Sequence, residues 1–236
     1  MVAAEDNSTT RAFPPPLGTS AVEFLRTILE KTLPQGPAAT PWAFWPTICV
    51  AMLPPTPVLE TPRLILRPLR ADDAPIIQRR FPRWAVVRHL SAHIPWPYPG
   101  DGAAHHVEQC LGEMARGAKL YWAITLKAAG DELIGRIDLW PDDGASRDQR
   151  GFWLDPDFQG RGLMTEAAER VTAYAFENLG WPQLWLSNAK INKASARIKE
   201  KQGARLVDEL PGRWVGGEGL KQVWLLSRND WLARRR

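Results

Sequence analysis

From Val58 onward the chain alternates between two hydrophobic periods. Arg63-Leu-Ile-Leu-Arg-Pro-Leu69 repeats every second residue, as a half-buried strand does. Ala71-Asp-Asp-Ala-Pro75 opens a helix, with Asp72 or Asp73 as cap and Pro75 in the first turn. Ile94-Pro-Trp-Pro-Tyr-Pro-Gly100 reads as an irregular loop, because four of its residues are Pro or Gly. A helix is expected over Gly102–Arg116 and a strand over Tyr121–Leu126. A turn at Gly130-Asp131 leads into a second strand, Glu132–Trp140. A strand over Gly151–Asp155 precedes a long helix over Leu163–Leu179, which Gly180 ends. Leu184–Ser187 is a strand and Lys193–Gln202 a helix ended by Gly203. Arg205–Leu210 and Gln222–Ser227 are the last two strands. The pattern predicts one mixed α/β domain over residues 58–236.

The first 57 residues differ in kind, holding ten of the 21 prolines. Between the prolines one short helix is expected. Ser20 is its cap, Glu23 completes a capping box, and Val22, Leu25, Ile28, Leu29 and Leu33 share one face. Residues 1–57 thus form a proline-rich extension, read either as a docking appendage or as a poorly ordered tail. Met52 offers an alternative translational start.

Composition narrows the function classes. Apolar residues make up 44% and charged residues 24%, which excludes wholesale disorder and fibrous repeats. Two cysteines, Cys49 and Cys110, exclude a disulfide framework and a four-cysteine zinc site. The most apolar run, Trp42–Leu53, is about eight residues short of a membrane span and contains Pro46. Acidic residues near the start argue against a signal peptide, so the expected home is cytoplasmic and away from membranes. A net charge of +4 permits an anionic ligand. The twelve tryptophans are scattered and interleaved with acidic residues, so no nucleic-acid partner is expected. Trp122, Trp153, Trp185 and Trp224 fall within strands and are assigned to the core.

Gly151-Phe-Trp-Leu-Asp-Pro-Asp-Phe-Gln-Gly-Arg-Gly-Leu-Met-Thr-Glu-Ala167 carries the strongest chemical signal. A strand passes through two closely spaced glycines directly into a helix. Gly160 and Gly162 tolerate unusual backbone angles and let a ligand approach the main chain. The unpaired N–H groups and dipole of the helix start attract phosphate, and Arg161 adds positive charge. No Gly-x-x-x-x-Gly-Lys-Ser/Thr string occurs, and Thr165 stands where a dinucleotide fingerprint needs its third glycine. His89 and His93, four apart, lie near His105 and His106, but no cysteine or carboxylate cluster completes a metal site. No metal is expected.

Gln159-Gly-Arg-Gly-Leu-Met164 resembles the Gln/Arg-x-x-Gly-x-Gly/Ala pyrophosphate loop of the GNAT N-acetyltransferases, with Met164 in place of the usual small residue. Gly-Phe-Trp-Leu-Asp-Pro and Met-Thr-Glu-Ala around it are similar to the RimJ/RimL branch, the ribosomal-protein N-terminal acetyltransferases. Leu59–Leu69 resembles that branch's opening strand, and Val223–Trp231 its closing strand. Asn192-Lys-Ala-Ser195 with Lys201-Gln-Gly203 resembles its Asn-x-x-Ser and Lys-x-Gly signature. The resemblance spans residues 58–233.

The resemblance implies an α/β (α+β) GNAT fold. Its central sheet is mixed and mostly antiparallel, with a splayed parallel strand pair, flanked by helices. It implies acetyl-CoA as cosubstrate and direct transfer of acetyl to a primary amine, from a protein N-terminus or a small molecule. Leu154 would bond pantetheine in the gap between the strands near Asp155 and Leu184. Gln159, Gly160, Arg161, Gly162, Leu163 and Met164 would hold the pyrophosphate. Asn192 would contact the cofactor, and Ser195 would protonate the leaving thiolate. Asn192 and Ser195 also suit helix capping.

An α-amine with pKa near 8 is roughly 10% neutral at pH 7, against about 0.04% for lysine, so it needs only a weak base or a water path. Asp138, Glu209, His93 and His105 are the candidate bases, and Trp96 with Tyr98 the candidate acceptor wall. The branch's glutamate has no counterpart in Pro211-Gly-Arg-Trp214, which departs from ribosomal-protein specificity. A non-catalytic acyl-CoA-binding module is the alternative. The chain is expected to be a monomer or homodimer.

Overall fold

The computed structural model describes residues 52–235; the expected helix near residues 20–33 lies outside them. Five strands form one sheet in the order β1 (Leu59–Glu60), β2 (Leu64–Pro68), β3 (Leu120–Leu126), β4 (Leu133–Leu139) and β5 (Arg150–Leu154). Three more form a second sheet in the order β6 (Gln183–Ala189), β8 (Gly217–Ser227), β7 (Arg205–Trp214). Every ladder pair is antiparallel. The sheets meet where the Gln149 N–H donates to the Trp185 carbonyl at 2.9 Å, and the Trp185 N–H donates to the Gln149 side chain at 2.8 Å.

Helices cover both faces of the larger sheet. α1 (Ala74–Arg80), α2 (Trp84–Val87) and α3 (Gly102–Ala115) lie on one side, where Ile77, Val87 and Val107 pack on Tyr121, Ala123, Leu133 and Trp153. α4 (Leu163–Ala173), continued by a π-turn over Tyr174–Asn178, lies on the other. Its Ala167, Val171 and Phe176 join Leu66, Trp122, Ile137 and the second sheet's Leu184 and Leu226 in a separate core. Alternate side chains of one strand therefore feed two different cores, the period-two pattern read in three dimensions. α5 (Lys193–Gln202) and α6 (Arg228–Ala233) complete the domain. Among the described residues, no helix is long and apolar enough to cross a membrane.

Several expectations change. β7 runs on through Pro211 to Trp214 and β8 starts at Gly217, giving a longer hairpin than the pattern predicts. Pro211 is tolerated because β7 is an edge strand. The chain after Ser227 is helix rather than a continuing strand: the Ser227 hydroxyl accepts from the Asp230 N–H at 3.0 Å and caps α6. The short α2 was not expected. Trp122, Trp153 and Trp224 are buried, but Trp185 is half-buried, with the Arg147 guanidinium 4.8 Å above its ring.

Buried charge ties the layers together. Arg150, on β5, reaches through the core to the Thr172 hydroxyl at 2.7 Å and the Gln202 side-chain Oε1 at 2.9 Å, joining α4 to α5. Burial pulls its pKa down to about 10. Asp155 ends β5 with no exposed side-chain surface and accepts from Arg80 at 2.6 Å and Arg83 at 2.9 Å. The start of the glycine loop is thereby fixed to α1 and the approach to α2.

Candidate acetyl-CoA site

The chain leaves β5 at Leu154 and turns through Pro156–Phe158, with Asp155 accepting from the Asp157 N–H at 3.1 Å. It then passes Gly160 (φ 75°) and Gly162 (φ 76°), both in the left-handed region that favours glycine. A Cβ at Gly160 would meet nothing within 4 Å, so the loop face there is open. Among the described residues, the N–H groups of Gly160, Arg161 and Gly162 donate to no backbone carbonyl. With the free N–H groups of the first turn of α4 they form a row of donors suited to a pyrophosphate.

The loop is braced from outside. Arg63 donates to the Arg161 carbonyl at 2.9 Å and pairs with Glu166 at 2.6 Å. Glu166 also accepts from the Thr61 hydroxyl at 2.6 Å and the Arg63 N–H at 2.9 Å. Partial burial works to raise the Glu166 pKa, but these bonds and the Arg63 charge hold it below the usual carboxylate range. The Gln159 side chain turns back to donate to the Leu154 carbonyl at 2.8 Å.

A cavity of about 370 Å³ opens beside this loop. Leu154, Gln159, Gly160, Gly162, Leu163, Met164, Asn192 and Ser195 all line it. Residues 151–167 and 192–195 are far apart in sequence, and the fold brings them together at the ends of β5 and β6. Arg161 is absent from the wall; its guanidinium donates to the Asp157 carbonyl at 2.9 Å and lies over Phe158. The Asn192 side chain accepts from the Ser195 N–H at 3.1 Å, so it caps α5 while facing the cavity.

The wall also holds cations to which the sequence pattern assigns no site role, Lys201 entering it only within the Lys-x-Gly signature. Arg197 and Lys201, one turn apart on α5, join Arg88 as cations, and the described lining includes no Asp or Glu. That balance fits a polyanion. The signal was present as helical spacing, since Ala194, Arg197 and Lys201 share one face of α5. α2 and the segment after it supply the opposite wall, through Val86, Arg88 and His89. His89 accepts from Arg88 at 3.1 Å; burial, then the Arg88 charge, depresses its pKa, so it is neutral at pH 7. This segment is fastened to the β7–β8 hairpin tip by three backbone bonds. The Ala92 N–H donates to Arg213, the Val215 N–H to Leu90 and the Gly216 N–H to Arg88, at 3.2, 3.0 and 3.1 Å.

The other candidate residues lie off the wall. Asp138 faces Arg136 at 3.3 Å, Glu209 pairs with Lys190 at 2.6 Å, and His105 pairs with Asp101 at 3.5 Å. His93 bonds Ser91 at 2.9 Å. Trp96 packs at a tilt against Trp84 and Tyr98 edge-to-face against Phe81, with ring centroids 5.6 and 5.3 Å apart. Among the described residues, no three His, Cys, Asp or Glu side chains group as a metal site.

Comparison with known proteins identifies the family. Residues 63–205 match the family described as Acetyltransferase (GNAT) domain. Over 155 residues the chain is 29% identical to the uncharacterized N-acetyltransferase YoaA of Bacillus subtilis (strain 168), covering 62% of this chain and 82% of that protein. RimL, the ribosomal L7/L12 alpha-N-protein acetyltransferase in complex with coenzyme A, superposes with a TM-score of 0.62 at 16% identity. That match covers 72% of this chain and 98% of RimL. The ribosomal-protein-S5-alanine acetyltransferase from Vibrio fischeri gives 0.62 at 16% identity, over 74% of this chain and 98% of that one. The two structural likenesses are likenesses of fold. The family match extends over more than half of the chain, which therefore belongs to the GNAT acetyltransferases, N-acetyltransferases that use acetyl-CoA.

Proposed function

We propose that acetyl-CoA enters the cavity between β5 and β6 with its pyrophosphate on the Gln159–Met164 loop, and that acetyl passes directly to an α-amine. β5 and β6 are read as the splayed parallel pair: they touch at Gln149–Trp185, and the cavity is lined by the far end of β5 at Leu154 and by Asn192, beyond the far end of β6. Pantetheine would lie along Leu154 and Asn192, and Ser195 would give its proton to the departing sulfur. Arg88, Arg197 and Lys201 would offset the phosphate charge. Catalysis would come from orientation of the two substrates.

The acceptor reading rests on chemistry and on names. A protein N-terminus is partly neutral at pH 7, and no carboxylate stands on the cavity wall. The names of RimL and the Vibrio fischeri enzyme specify ribosomal proteins as acceptors. A protein α-amine is therefore favoured over a small amine.

The convergence of eight sequence-predicted residues on one wall carries the proposal. Thermal unfolding with and without acetyl-CoA tests it. At 100-fold excess over Kd, binding adds about 2.7 kcal/mol. That predicts a rise in Tm of roughly 5–10 °C. The rise should vanish in Gly162→Asp, which forces a side chain into the left-handed position at φ 76° and adds a negative charge to the phosphate loop. No rise in the folded parent at millimolar ligand would overturn the placement.

A further inference from the structure

Lys199 is a cation in the wrong place for a structural residue. It lies on α5 one turn beyond Ser195 and is 2% exposed. Among the described residues no carboxylate pairs with it. Its ammonium donates to the Ser195 hydroxyl at 2.8 Å and to the Ser195 carbonyl at 3.4 Å, and it sits 5.5 Å from the Phe152 ring centroid. The charged groups facing it are Arg150 on β5 and Asp148 just before that strand. Asp148 accepts from the Ser187 hydroxyl of β6 at 2.6 Å and also faces Lys221 of β8. Glu169 of α4 faces Arg150.

A hydroxyl has one proton to donate and two lone pairs. When Lys199 is charged it fills a lone pair of Ser195 Oγ, and the Ser195 proton stays free for the cavity. When Lys199 is neutral its nitrogen becomes an acceptor and competes for that same proton. The charge on Lys199 thus decides where the Ser195 O–H points.

We propose that Lys199 is the positioning and proton-supplying partner of Ser195 in acetyl transfer, a role that rests on the site assignment above. The new bond forms between the amine nitrogen and the thioester carbon, and the C–S electron pair goes to sulfur. The Ser195 hydroxyl proton passes to sulfur, and a Lys199 ammonium proton passes to Ser195 Oγ. The proton shed by the acylated nitrogen leaves to solvent. After the products depart, Lys199 regains a proton from cavity water through Ser195. Burial and the Arg150 charge bring the Lys199 pKa down to about 7, so the proton is easily given up.

The test uses the full chain with acetyl-CoA and an amine-bearing peptide panel. The parent kcat should fall as pH rises above about 7, against the rise that amine deprotonation brings. In Lys199→Met and in Ser195→Ala that falling limb should disappear, with kcat at pH 6.5 reduced about tenfold or more and KM for acetyl-CoA within about twofold. Lysine-side-chain NMR of the ligand-free protein, with the Lys199 signal assigned by its loss in Lys199→Met, should show a midpoint near neutrality. Ser195→Ala guards against a misfolded Lys199 variant.

Variants that keep the parent's falling limb at lower amplitude would make Lys199 merely structural and overturn the relay. A Lys199 midpoint near the ordinary 10.5 would do the same. If acetyl-CoA gives no thermal shift, the site assignment fails and the relay with it. Binding without turnover on any amine leaves the cofactor placement standing and overturns both the transfer and the relay.

Discussion

The Asp155 carboxylate, wholly withdrawn from solvent at the end of β5, receives the Arg80 guanidinium of α1 at 2.6 Å. This pair joins the strand that feeds the glycine loop to the helices of the opposite wall. Arg83 shares the same carboxylate at 2.9 Å.

Asp155→Ala would take from Arg80 and Arg83 their one shared buried carboxylate, leaving them the more exposed Glu132 and Asp157, and strip the Asp157 N–H of its acceptor. Both arginines retain some exposure, which softens the cost to about 2–3 kcal/mol. Urea unfolding should show a lower midpoint with an unchanged slope. Acetyl-CoA affinity should fall although Asp155 does not line the cavity.

Arg197→Ala combined with Lys201→Ala removes two of the three cations on the wall. Kd for acetyl-CoA should rise about tenfold, and its dependence on salt should flatten because the lost contacts are charge against charge. Calorimetric titration at two ionic strengths measures both. Unchanged affinity would place the phosphates elsewhere.

Gly216→Ala tests the fastening of the opposite wall. A Cβ there would stand 2.7 Å from the Arg88 carbonyl oxygen, a backbone atom with little freedom to retreat. The expected cost is about 1–3 kcal/mol. Because the Gly216 N–H bond to Arg88 would be strained as well, KM for the acceptor should rise more than KM for acetyl-CoA.

The Lys199 pKa has a sign that stability measurements can read. In the folded protein it is about 7, against 10.5 as the ordinary value. Below pH 7 the ammonium is present in both states, and the folded state bears the full burden of burying it. Between pH 7 and 10.5 the unfolded chain holds a proton the folded chain has released, so this group makes stability rise with pH. Lys199→Met should therefore stabilise the protein most at pH 6, and its advantage over the parent should shrink toward pH 10. Melting curves of the two proteins across that range decide it. An advantage that grows with pH would show that Lys199 is not a buried cation.

Much of the site was legible because its signals are local. Two glycines before a helix start, and Asn192 three residues before Ser195, each encode geometry within one turn of chain. Gly203 (φ 88°) ends α5 where the pattern places it. The opposite wall was not legible, since α2 is a four-residue helix held by tertiary contacts such as Arg83–Asp155. Pro211 and Gly212 looked like a stop to β7, whereas an edge strand loses no ladder partner by carrying a proline. Ser227 and Asp230 did carry a cap signal for α6, hidden behind the apolar strand that precedes it. Lys199 reads as a solvated helix residue until Phe152 and Arg150 are placed beside it.

The bonds between residues 88–92 and 213–216 are made by main chain alone. A fastening of that kind is indifferent to side-chain identity except at Gly216. On the proposed assignment, the half of the pocket facing the acceptor would therefore be able to vary its chemistry almost freely, while the half built on β5, α4 and α5 would stay fixed for acetyl-CoA. Libraries confined to His89–Ala92 and Arg213–Val215, with Arg88 kept, should retarget the enzyme to new amines while leaving its grip on acetyl-CoA intact.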